Sequence, residues 1–132
     1  MTSPESAPRP QYVSIYDLLS QVAAEASNLE KDARSKLHEE RDGNGYLLSL
    51  QKRARLISEL PATLEEFRLS GGIVPDEVEG FARSYAGLAN EALVINRAFM
   101  LSTVLNLSPG GLVSDPNDLE KLAAHFEPPK ED

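Results

Sequence analysis

Cysteine and tryptophan are absent from the 132 residues, histidine occurs twice, and cations are outnumbered 13 to 21 by acids, for a formal charge of -8. The lack of cysteine excludes disulfides, thiolate zinc sites, iron–sulfur clusters and cysteine nucleophiles. It fits a reducing compartment, and the cytoplasm is the expected location. With two histidines, a zinc site would need carboxylates in most positions. No apolar run approaches the ~18 residues of a membrane span. The N-terminus holds Pro and Glu where a signal peptide would hold basic and then apolar residues. No membrane partner is expected. Broad binding to phosphate backbones requires clustered cations, so no nucleic-acid partner is expected either. No segment alternates apolar and polar residues over a strand's length, and no internal repeat is visible.

What is present is helical spacing. Single domains commonly hold ~100–150 residues, and one domain over 14–127 is expected, between a disordered N-terminal tail (1–13) and a short C-terminal tail (128–132). Ser14, with Asp17 three residues later, forms a capping-box variant. Ile15, Leu18, Leu19, Val22, Ala26, Leu29, Ala33 and Leu37 then recur at steps of three and four. This predicts a first helix from Ile15 to Arg41. Asp42-Gly43-Asn44-Gly45 reads as the break between two helices. Leu47, Leu50, Ala54, Ile57, Leu60, Leu64 and Phe67 form the next stripe. Pro61 lies inside it, in phase, and predicts a kinked helix or two abutting ones. Ser70-Gly71-Gly72 ends this element.

A third helix comes next, with Pro75 in its first turn and Asp76, Glu77 and Glu79 favoured by the helix dipole. Val78, Phe81, Tyr85, Leu88, Ala92, Ile95, Phe99 and Ser102 form an unbroken heptad-like seam, bordered by Ala82, Ala89, Leu93, Met100, Val104 and Leu107. Asn90, Asn96, Arg97 and Thr103 are expected at the surface between the seams. Ser108-Pro109-Gly110-Gly111 stops this helix. A last short helix is expected with Asp115 as N-cap, Pro116 at its first position, and Leu119, Leu122, Ala123 and Phe126 as its stripe. Short connections place neighbouring helices antiparallel. The fold class is therefore all-α: an antiparallel bundle of three long helices with a short C-terminal fourth helix.

Chemistry-bearing patterns are few. Glu-x-x-His, the di-iron signature of helical bundles, fails because Ser35 and Leu122 precede His38 and His125 by three. No metal and no cofactor are expected. No serine lies in Gly-x-Ser-x-Gly, and neither glycine pair has the Lys and Ser or Thr of a phosphate loop. Lys52, Arg53 and Arg55 are the one basic cluster, read as facing acids such as Asp32 and Glu39 of the first helix. Six acids and two lysines fall between Ser108 and Asp132, so a basic partner surface would be sought at the C-terminal end.

Two resemblances arise from these residues. Lys36-Leu37-His38-Glu39-Glu40-Arg41 resembles the phosphoacceptor box of histidine kinases and of histidine phosphotransfer domains, which implies a phosphotransfer role for His38. The pattern departs from that family at Gly43 and Gly45, which interrupt the helix one turn later. The order of a long acidic helix, Asp42-Gly43, Tyr46, a basic helix and in-phase Pro61 resembles the tubulin-binding cofactor A family over about thirty residues. That likeness implies a small helical chaperone. The stretch from Val78 to Leu107 departs from it.

The function expected from the residues themselves is not catalytic. The third helix is apolar over more of its circumference than two neighbours cover, and an uncovered stripe is a docking surface. A protein–protein interaction module is expected, binding a protein partner or a second copy of itself. Its expected partner-binding residues are Tyr85, Leu93, Phe99, Met100, Val104 and Leu107 on the third helix, with Leu119, Leu122 and Phe126 on the last.

Overall fold

The computed structural model describes residues 12–105 and 117–128. Among these, six helices and no strand are found: α1 (Ile15–His38), α2 (Gly43–Ser58), α3 (Leu60–Leu69), α4 (Asp76–Ile95), α5 (Ala98–Ser102) and α6 (Asp118–His125). The all-helical class stands. The division does not follow the expected three long helices and a short one, and each difference has a local cause.

Ser14 caps α1 through Oγ, which accepts from the Asp17 amide at 3.1 Å, while the Asp17 carboxylate accepts from the Val13 amide at 3.0 Å. These bonds satisfy donors that a helix start leaves orphaned. At the other end α1 stops at His38, three residues before the expected Arg41. Arg41 takes a left-handed conformation (φ 53°), and the Asp42 amide turns back to the Lys36 carbonyl at 2.7 Å. The chain therefore reverses ahead of the glycines. Asp42 is the N-cap of α2, its carboxylate accepting from the Gly45 amide at 2.9 Å. A Cβ at position 45 would collide with that carboxylate. Glycine is needed there for the cap to close, not to loosen a loop.

Pro61 produces two abutting helices. It sits in the first turn of α3, where no amide donor is required, and the Thr63 amide still reaches the Glu59 carbonyl at 3.0 Å. The stripe keeps its phase through the junction: Ile57, Leu60, Leu64 and Phe67 are all buried. α3 ends where expected, at Ser70, and Gly71 (φ 102°) supplies the positive φ of the exit.

The third expected helix is broken. Asn96 adopts φ 57°, ψ 42°, ending α4, and Arg97 is extended before α5 begins at Ala98. The expected N-terminus of the last helix, Asp115 and Pro116, lies outside the described residues. α6 itself starts later, capped by Asn117. Asn117 and Glu120 exchange side-chain to backbone bonds of 2.8 Å in a full capping box.

Helix α1 packs on α2, α2 and α3 pack on α4, α5 sits against α2 and α4, and α6 lies on α1. Asp32 meets Ser49 while Glu30 meets Arg53, so α1 and α2 run in opposite directions. One core joins all six helices. Leu18, Leu19, Leu50, Ile57, Leu60, Leu64, Val78, Leu101, Leu105 and Leu119 are its fully or almost fully buried large side chains. Each such side chain contributes roughly 1.5–3 kcal/mol by leaving water. Tyr12, expected in the N-terminal tail, packs against this core.

Candidate functional site

The face that α4 buries is the one made of small residues. Val78, Ala82, Ala86, Ala89 and Ala92 are buried, which brings α4 close to its neighbours. The larger residues of the expected seam turn outward as the helix proceeds. Phe81 and Tyr85 are half-buried and stacked on each other, with ring centroids 4.0 Å apart. Leu88 is 39 % and Ile95 44 % exposed. Val94, just before the break at Asn96, is 84 % exposed, and Phe99, just after it, is 77 % exposed. Leu88, Val94, Ile95 and Phe99 are thus exposed apolar residues along the end of α4 and the start of α5. Gln51 of α2 donates to Asn96 Oδ1 at 2.6 Å. Leu48, also exposed, lies one turn before Gln51 on the same side of α2.

The nine expected partner-binding residues are distributed differently. Phe99 is exposed. Tyr85, Leu93, Met100 and Phe126 are half-buried and pack against the core. Val104, Leu119 and Leu122 are buried within this chain and belong to the core, where α5 sits against α2 and α4 and α6 lies on α1. Leu107 lies outside the described residues. Missing from the expected set were Val94, Leu88 and Ile95. A signal existed for them, because Leu93, Val94 and Ile95 are consecutive and span ~200° of a helix, so one neighbour cannot cover all three.

Arg53, expected to face Asp32 and Glu39, is 1 % exposed and is among the largest fully buried side chains. Its Nη2 is 3.6 Å from Glu30 Oε1, and its Nη1 donates to the carbonyls of Leu101 and Ser102 at 3.4 and 3.5 Å. The bonds are long, and Nε and Nη2 make no hydrogen bond at all. Burial lowers the pKa of this guanidinium, partly opposed by Glu30 and Glu120. Sequence spacing did mark Arg53 as inward-facing: it sits three residues after Leu50 and four before Ile57. Asp32 instead accepts from Ser49 Oγ, and Lys52 and Arg55 are not buried.

The acidic C-terminal helix is also partly turned inward. Asp118 is buried and accepts from the Tyr85 hydroxyl at 2.8 Å, which ties α6 to α4. Burial first, and then this bond, raise the Tyr85 pKa well above its ordinary value. Glu120 is engaged in the α6 cap. Both acids therefore take part in contacts within the fold.

His38 is the exposed last residue of α1, beside an open groove lined by Lys31, Arg34, Ser35 and Glu39. Among the described residues, no three His, Asp or Glu side chains are grouped to hold a metal ion. An open groove of about 230 Å³ separates α1 from α6, lined by Tyr16, Ser20, Ala23, Ala124 and Glu127 among others. None of the described helices is long and apolar enough to cross a membrane.

Comparison with protein-family models, with curated proteins and with solved structures finds no match. The site's chemistry is that of apolar contact: large aliphatic and aromatic side chains in water, flanked by Glu91 and Arg97.

Proposed function

We propose that the chain is a non-catalytic protein-interaction module, an all-helical subunit or adaptor that docks a protein partner or a second copy through the apolar surface at the α4–α5 junction. One observation carries the reading. Leu88, Val94, Ile95 and Phe99 are exposed within twelve residues of one another in the chain, while alanines occupy most of the buried face of α4. Exposed large apolar residues gathered along one stretch of a fold mark a contact surface more often than residues scattered over it. Half-buried Leu93 and Met100 adjoin it in sequence, and buried Val104 and Leu119 belong to the core that supports it. An antiparallel bundle of α1, α2–α3 and α4 is the scaffold in this reading, with α5 and α6 closing its side.

The test is a pair of charge substitutions on the proposed face. Val94→Asp and Phe99→Asp, alone and together, should leave helix content and unfolding midpoint unchanged, since both side chains are already exposed. They should abolish capture of whatever protein the wild-type chain retains. Retention of the same partner by the folded double variant would overturn the reading.

A further inference from the structure

The break between α4 and α5 is where the chain departs most sharply from its own sequence pattern. The heptad-like seam passes through it in phase, from Val78 to Ser102, and no glycine or proline occurs between Leu88 and Leu107. Local chemistry therefore favours one continuous helix. What interrupts it is a single left-handed residue, Asn96 at φ 57°, and one extended residue after it, Arg97. Asparagine tolerates this conformation better than most residues, but it is not glycine.

The bent form leaves the apolar residues that flank it poorly satisfied. Seam residues Ile95 and Phe99, on either side of the break, lie exposed. Straightening the helix in an isolated chain would relieve the left-handed residue but would strip Leu101, Val104 and Leu105 from the core. An open monomer is therefore disfavoured. A second copy removes the conflict, because its vacated core presents the same surfaces that α5 and α6 cover within one chain.

We propose that the chain dimerises by exchange: α4 and α5 straighten into one helix through Asn96 and Arg97, and α5 and α6 of each copy take on the other the places they hold here. The occupant of the α5–α6 seat is thus a second copy of this chain. Straightening also aligns Leu88, Ile95, Phe99 and Ser102 at steps of seven, four and three on one face. Two such helices can pair along that stripe. The inference rests on the reading of the α4–α5 surface as a contact face and specifies its partner.

Sedimentation equilibrium of the full chain over a concentration series tests it. Asn96→Leu, which favours a straight helix, should tighten the dimer at least ten-fold, with Asn96→Ala read beside it in case the leucine variant folds poorly. Asn96→Gly, which accepts the left-handed turn freely, should weaken it. The cysteine-free background allows a topological readout. A Ser20→Cys copy and an Ala124→Cys copy are refolded together and treated with a short bifunctional maleimide. These positions line the same groove between α1 and α6. Linkage between the two copies is expected only if α6 has been exchanged. A dimer lacking that link would overturn the exchange and leave the contact-surface reading intact. Monomers throughout, in the wild type and in both helix-favouring variants, would also overturn it. The capture experiment with Val94→Asp and Phe99→Asp then judges the contact surface separately.

Discussion

Two helix breaks in this molecule have opposite origins. At Pro61 the covalent chemistry of one residue forces a new helix start, yet the apolar face continues and Ile57, Leu60 and Leu64 stay buried on both sides. At Asn96 nothing in the local chemistry demands a break, yet the helix ends and the flanking Ile95 and Phe99 are left exposed. A break written into the backbone can be absorbed without redirecting the chain. A break imposed by packing redirects it, and here the new direction brings Leu101, Val104 and Leu105 into the core.

The largest effect should come from testing whether α5 is as much a part of the core as α3. Leu101→Ala and Leu60→Ala, both at fully buried positions, should each lower unfolding free energy by about 2–5 kcal/mol in urea titrations. A loss near zero for Leu101→Ala would separate the two regions and show that α5 contributes little. Next in size is the buried ion pair behind α5. Glu30→Gln should destabilise by about 2 kcal/mol because it leaves Arg53 charged and buried without its counter-ion. Arg53→Met should be neutral or stabilising by ~1 kcal/mol, since it removes two unbonded donors. If Arg53→Met instead lost several kcal/mol, the guanidinium would be holding α5 in place more firmly than its long bonds indicate.

The breaks themselves should respond unequally. Asn96→Ala places an unfavourable left-handed alanine at the α4 terminus and should cost about 1 kcal/mol in the monomer. Pro61→Ala should stay within ~0.5 kcal/mol, because position 61 is in a first turn that needs no donor. Equal costs would erase the distinction between the two breaks.

The smallest effect under neutral conditions concerns the contact that fastens α6. Tyr85 has a higher pKa in the folded chain than when unfolded, through burial and its bond to Asp118. Its contribution to stability is complete below the unfolded value of ~10 and is lost as pH rises toward the folded value. Tyr12 is raised in the same direction, by burial and by the charges of Glu25, Asp17 and Glu66. Urea unfolding from pH 8 to 11 should therefore show an alkaline decline that is shallower in Tyr85→Phe. An unchanged slope would show that Tyr85 plays no part in it.

Much of the fold is legible in particular residues. Ser14 and Asp17 announce the start of α1, Pro61 announces a junction, and Ser70-Gly71-Gly72 announces an end, because caps, prolines and positive-φ glycines act through neighbours in the chain. The glycines near Asp42 were legible as a break but not as a cap. Their role depends on where the Asp42 carboxylate sits, and a Cβ at position 45 would collide with it. The candidate surface was less legible. Spacing named Phe99, and the crowding of Leu93, Val94 and Ile95 hinted at exposure. Yet Val104, Leu119 and Leu122 satisfy the same apolar pattern and are core. Periodicity reports that a face is apolar, not what covers it.

The sequence by itself determined the helical class, the approximate extent of α1 to α3, the start of α4 and the inward-facing stripe on which Arg53 lies. These arise from interactions between residues three and four apart, which any helix contains. Only the tertiary structure decided that α4 stops at Asn96, that alanines rather than leucines fill the inner face of α4, and that Arg53 meets Glu30 and the α5 carbonyls. Those outcomes depend on contacts between positions such as 53 and 101 or 85 and 118. No local rule can weigh the gain from burying Leu101 and Leu105 against the cost of one left-handed asparagine.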